Sequence, residues 1–196
     1  MDRRFTLSVL ITLVILSLCA SPAFASYNGE LKTVLRTGRV FSTETFDANL
    51  ICQAIFFSEE FRNAYGQRWA ERNHFDDAEE EAFLREQHDR QSRGWEFFIS
   101  FYTKKDYKKF TNDPDSFWKI RLVTDSGEEV APTAIEMIPV SPYEKVMFKN
   151  LNRWSQAYRV VFPKVSLGEN MALTIFSVIG QSTLNWKLKA SHHSGS

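Results

Sequence analysis

Apolar residues follow three rhythms along this chain. From Leu7 to Leu18 they run almost unbroken. From about residue 45 to residue 73 they recur every three or four positions. After Gly94 they alternate with polar residues. A period near 3.6 marks a helix with one buried face, and a period of two marks a half-buried strand.

In the middle stretch Ile51, Ile55, Ser58, Phe61, Tyr65 and Trp69, with Ala54, form one stripe. Glu59, Glu60, Arg62, Asn63, Gln67 and Arg68 fall mostly opposite. The spacing predicts a long first helix capped within Ser42-Thr43-Glu44-Thr45, with Gly66 as a point where it kinks or breaks. Asp76 and Asp77 suit the cap and first turn of a second helix, because the helix dipole favours negative charge there. That helix covers residues 77–92 and carries many charges, so it is the more exposed of the two. Ser92-Arg93-Gly94 ends it. Before these helices, Leu31–Leu35 and Arg39–Phe41 read as strands, with Gly38 between them.

The alternating region predicts about seven strands. Trp95–Tyr102 is aromatic and β-branched throughout, as a largely buried strand requires. In 117–123, Trp118, Ile120 and Leu122 share one face and Lys119 and Arg121 the other. Asp125-Ser126-Gly127 is a turn. Ala134–Val140 and Lys145–Phe148 are shorter strand candidates between prolines. Tyr158, Val160 and Phe162 align in 155–162. Met171–Ile179 is nearly all apolar, and Leu184, Trp186 and Leu188 form one face of 183–189. Helices first and strands later predict an α+β class: two helices packed on an antiparallel β-sandwich or barrel-like sheet. Residues 26–190 are expected as a single domain, mainly helical over 26–93 and β over 94–190. Residues 191–196 form a polar tail.

The opening apolar run concerns destination. Asp2, Arg3 and Arg4 precede it, and Pro22 and Ala23-Phe24-Ala25 follow. A positive start, a short apolar run and a small-residue A-x-A site read as a signal peptide over 1–25, processed before Ser26. The expected location is periplasmic or extracellular. A retained membrane anchor is weaker, since Ser17, Ser21 and Pro22 interrupt the second half. Lipidation at Cys19 is the other alternative. Leu16-Ser17-Leu18-Cys19 resembles a lipobox but has Leu18 where a small residue is wanted.

Processing also changes composition. Cys52 becomes the single mature cysteine, so the domain must stand on packing rather than on an internal disulfide. Its apolar neighbours make it a small buried hydrophobe rather than a catalytic thiol. Removing Asp2, Arg3 and Arg4 from 24 basic and 24 acidic residues leaves 22 and 23. That balance argues against a nucleic-acid partner, which calls for a strong basic excess. Seventeen Phe and five Trp supply ample bulk for a core.

Motifs for chemistry are sparse. The sequence holds no G-x-S-x-G, P-loop, G-x-G-x-x-G, H-E-x-x-H or paired C-x-x-C. Glu71 and His74 have E-x-x-H spacing, but Arg85 stands where His88 would need a partner acid, so a di-iron pattern fails. The run Asp76, Asp77, Glu79, Glu80 and Glu81 reads as a solvated helix start. Asp113, Asp115, Asp125, Glu128 and Glu129 read as turn residues, with no calcium-loop spacing. No metal and no cofactor is expected.

Two binding candidates remain. Lys104, Lys105, Tyr107, Lys108, Lys109 and Phe110 interleave four cations with two aromatics, a pattern that suits an anionic surface. The bland reading is a solvated loop whose aromatics turn inward. Trp69, Trp95, Trp118 and Trp186 fall in phase with core positions, whereas Trp154 stands among polar residues and is the Trp most suited to exposure. The chain is therefore expected to be an exported, non-enzymatic binding or assembly module with an envelope or extracellular protein partner. A lipid or small-ligand carrier, and then a hydrolase with a hidden carboxylate pair, are the alternatives.

Overall fold

The computed structural model describes residues 26–42, 45, 47–103, 110, 113, 115–148, 151 and 155–188. Expectations for 1–25, Cys19 and the 191–196 tail lie outside them. Elements run in the order α1 (Tyr27–Val34), β1 (Leu35–Phe41), β2 (Ala48–Phe56), α2 (Glu59–Asn73), α3 (Asp77–Arg93), β3 (Trp95–Thr103), β4 (Lys119–Val123), β5 (Glu129–Val130), β6 (Ala134–Ile138), α4 (Pro142–Met147), β7 (Gln156–Phe162), β8 (Asn170–Ser177) and β9 (Gly180–Lys187).

The class is α+β, with nine strands in two antiparallel sheets among the described residues: seven (β3–β9) follow Gly94, and β1 and β2 lie in the part expected to be mainly helical. One sheet has the order β1-β2-β3-β7-β6 and the other β5-β4-β8-β9. The sheets do not close into a barrel. Aromatic rings connect them: Phe97 of β3 meets Trp186 of β9 at 5.5 Å, and Phe101 meets Trp118 at 6.0 Å. On the opposite face of β3, Phe98 stacks on Phe148 beyond α4 at 4.2 Å, and Glu96 faces α2 and α3. Strand β3 thus touches the smaller sheet through Phe97 and the helical segments through Phe98 and Glu96.

The first expected helix is corrected. Its N-terminal half is β2, and α2 begins only after Ser58, whose hydroxyl accepts from the Phe61 amide. Strand β2 is buried from both sides. Leu50, Cys52 and Ala54 face the smaller sheet, while Ile55 shares the helix-covered face with Phe98. No simple alternation survives such burial. The expected N-terminal strand over 31–35 is the end of α1, although Arg39–Phe41 does lie in β1. Lys145–Phe148 is likewise not a strand. Ser141 and Glu144 form a capping box around Pro142 and start α4.

Gly66 does not break α2, which runs from Glu59 to Asn73. A methyl there would meet Leu84 Cδ2 at 2.5 Å, so the glycine lets α2 and α3 approach closely. The second helix starts as its sequence indicates, with Asp76 and Glu79 exchanging bonds across the cap at 2.9 Å each. Among its buried residues only Gln87 is present. Trp118, Ile120 and Leu122 are buried together, as are Tyr158, Val160 and Phe162.

Candidate functional site

Sheet registers give the molecule two distinct ends. At one end lie Leu35, Phe56, Trp95 and Phe162; at the other lie Phe41, Ala48, Thr103 and Gln156. The smaller sheet follows the same division. The β8–β9 hairpin turns through Val178 and Ile179 at the second end, and its Gly180 seats against Val40. Lys119 pairs in register with Phe176 beside that turn.

Both sequence-based binding candidates are tethered to this second end. Lys104, Lys105, Tyr107, Lys108, Lys109 and Trp154 themselves lie outside the described residues. Their anchors do not. Thr103 precedes the lysine segment and donates from its hydroxyl to the Asn49 carbonyl at 2.8 Å. Phe110 closes the segment and is buried, stacked on Phe101 at 5.0 Å and edge-on to Tyr158 at 5.1 Å. Of the two aromatics in the cluster, Phe110 turns inward as the bland reading expected. Gln156, two residues after Trp154, is the register partner of the same Phe101. Phe101 therefore holds the roots of both segments side by side.

Around these roots the surface is apolar in places where water reaches it. Val178 is 92 % exposed at the hairpin apex, Phe41 56 % and Tyr102 37 %. Scattered exposed apolar residues are ordinary, and Met137 of β6 and Tyr143 and Val146 of α4 are exposed as well. At the loop end Arg39 and Lys119 are also exposed, and so are the acidic residues Asp47, Asp113 and Asp115. Val178 carries no signal of its own, because it sits within a run of apolar residues, Met171–Ile179, that reads as continuous strand. A two-residue hairpin loop inside that run puts the side chain at the apex.

The remaining clusters are structural in their geometry. Arg62 is 1 % exposed and Glu96 5 %. The Arg62 guanidinium donates to Glu96 at 3.2 Å and to Gln87 Oε1 at 3.2 Å, while Arg90 donates to Glu96 at 2.5 Å. Burial holds the Arg62 pKa below its usual value, opposed by the Glu96 carboxylate. This network ties α2 and α3 to β3. Cys52 is buried, and loss of solvent pushes its thiol up to about 12, so it is a poor nucleophile. His74 takes a left-handed conformation as the C-cap of α2, its amide bonding to Ala70 and Glu71 carbonyls. Asp125 accepts from Asn170 at 2.9 Å, and Asp113 accepts from the Asp115 amide at 2.9 Å. No group of three or more metal-binding side chains gathers among the described residues.

Four of the five Trp lie in the described chain. Trp118 and Trp186 are buried, and Trp95 and Trp69 are half-buried. Trp186 Nε1 donates to Val34 at 2.7 Å, and Trp95 Nε1 to Val165 at 2.8 Å. Trp69 stacks on Tyr65 at 5.7 Å and Phe83 at 6.2 Å. No helix among the described residues is long and apolar enough to cross a membrane. Comparison with protein-family models, with curated proteins and with solved structures yields no match.

Proposed function

We propose that this chain is an exported, non-enzymatic binding or assembly module of a cell envelope or its exterior, and that the loop end of its sheets is the contact face. The observation that supports this reading is the convergence at Phe101. The roots of the four-lysine segment and of the Trp154 segment meet there, beside exposed Phe41, Tyr102 and Val178. Binding residues are commonly carried on loops held by a rigid scaffold. The two sheets are best read as halves of a sandwich, a reading supported by the Phe97–Trp186 and Phe101–Trp118 contacts. The signal at 1–25 supports export. A carrier cavity between helix and sheet gains no support from an interface where Phe98, Phe148, Tyr65 and Phe61 meet ring to ring.

The test is crosslinking in intact envelopes, comparing the wild type with a variant in which Lys104, Lys105, Lys108 and Lys109 are Ser and Val178 is Asp. Adducts formed by the wild type and lost in the variant are expected. Identical adducts from both would retire the loop end as the contact face. Intact mass of the mature chain tests export separately, with a start at Ser26 expected.

A further inference from the structure

We propose that a second contact face lies on the helices, where a row of aromatic rings bordered by carboxylates receives a basic, apolar segment of a partner protein. This goes beyond the loop-end reading and does not depend on it. The row begins at Phe75, just before the cap of α3. Phe75 meets Phe83 of α3 edge-on at 5.9 Å, Phe83 stacks on Trp69 of α2 at 6.2 Å, and Trp69 meets Tyr143 of α4 at 6.1 Å. Val146, three residues after Tyr143, continues the same face of α4. Tyr143 is 55 % exposed and Val146 48 %, while Phe75, Phe83 and Trp69 are half-buried. An inner layer stands behind the row. Tyr65 stacks on Trp69 at 5.7 Å and on Phe148 at 6.0 Å, and Phe148 lies against Phe98 of β3. The inner rings seat the helices on the sheet, and the outer ones keep part of their area in water. Trp, Tyr and Phe so placed are the residue types that protein contact patches concentrate, and Trp and Tyr dominate their binding energy.

Charge identifies the occupant. Asp76, Asp77, Glu79, Glu80 and Glu81 follow Phe75 with no base among them. Glu79 and Glu80 lie one turn before Phe83, and so border the row on α3. Glu144 adjoins Tyr143 at the other end. The bases closest in sequence are Arg68, paired with Glu71, Arg85, paired with Glu81, exposed Arg72, and Lys145. The α3 dipole offsets about half a charge more. The border stays acidic after these offsets. Such a border repels anionic lipid and nucleic acid, and a second copy docked by the same face would set acid against acid. It attracts Lys and Arg, whose cations also sit favourably over Trp and Tyr faces. The occupant is therefore a protein segment that carries Lys or Arg beside apolar side chains.

The experiment is fluorescence anisotropy with a labelled peptide of about 14 residues, Leu and Lys at helical spacing, against its counterpart with Glu in place of Lys. The purified protein is used, and its intact mass records where the chain begins. Binding of the Lys peptide and not of the Glu peptide is expected in about 0.1 M salt. Tyr143→Ser with Val146→Ser should weaken it about tenfold or more. Asp77→Asn with Glu80→Gln leaves every ring in place, and should weaken binding and flatten its salt dependence. Melting temperatures of both variants show that the fold is kept, and the charge variant carries the test if the ring variant is unstable. No binding of the Lys peptide, equal binding of the Glu peptide, or unchanged affinity in a folded variant overturns the inference. Self-association of the wild type that is lost in the ring variant also overturns it, and gives the face to a second copy. None of these results bears on crosslinking through the loop end.

Discussion

The two ends of the sheets are made by the same strands and differ in how their polar groups are used. At the end opposite the loops, charge is buried and paired: Arg62 and Arg90 both donate to Glu96, and Arg62 donates also to Gln87. At the loop end, charge is exposed, and apolar residues are exposed with it. A buried ion pair specifies how helices seat on a sheet but adds little net stability, because desolvation offsets attraction. Exposed Val178 and Phe41 add nothing to the core. The buried cluster therefore fixes how the helices seat on β3, and the exposed side chains of the loop end are free to serve contact.

The sharpest break in this contrast is Glu96→Ala. It leaves the Arg62 guanidinium buried without its carboxylate, a change that costs about 3–5 kcal/mol. For a domain of this size the melting temperature should fall by about 6–20 °C. Calorimetry checks it, and a fall of less than about 3 °C would mean that water reaches the cluster. Gly38→Ala comes next. A methyl on Gly38 would collide with the Ser182 hydroxyl and meet Leu184 at 2.9 Å and Cys52 at 3.0 Å, where β1 approaches β9. Overpacking of this kind costs about 1–3 kcal/mol, readable as a lower urea midpoint with an unchanged slope.

Alkaline pH probes the same core more gently. Burial raises Cys52 from 9.0 to about 12, and it also raises the Tyr27 and Tyr65 hydroxyls above their usual value near 10. Each group stays protonated in the folded chain while the unfolded chain loses its proton. The stability they contribute is complete below about pH 9 and is lost as pH rises toward their folded values. The Cys52 share declines by about 1.4 kcal/mol per pH unit between 9 and 12. Urea melts at pH 8, 9 and 10 should show a decline that begins above 9, and Cys52→Ala should remove its first part. A decline of equal slope in Cys52→Ala would assign it to the tyrosines.

How much of this was legible depended on which faces were buried. Strand β4 declared itself because one face is core and the other is wet, so Trp118, Ile120 and Leu122 alternate with Lys119 and Arg121. The cap of α3 was legible because Asp76 and Glu79 act locally. Strand β2 was not, because it packs against a sheet on one side and helices on the other. Its Ile51 and Ile55 happen to continue the spacing of Phe61, Tyr65 and Trp69 across the break at Ser58, so two elements mimicked one helix. The strand expected at 145–148 failed although the capping box at Ser141 and Glu144 was in plain view. The lysine segment and Trp154 were visible singly. Their common root was not, since Phe101 and Gln156 become neighbours only through the antiparallel pairing of β3 with β7.

The smallest expected effect sharpens the comparison most. Val178→Asp places a charge on a side chain already in water, so folding should change by no more than about 0.5 kcal/mol. Its melting temperature should match the wild type within about 2 °C. The same substitution is expected to weaken contact at the loop end. Together these results would separate the two ends, one residue altering partner binding at no cost to the core. A large loss of stability would mean instead that Val178 packs against a part of this chain, and the hairpin tip would then belong to the fold rather than to a surface beyond it.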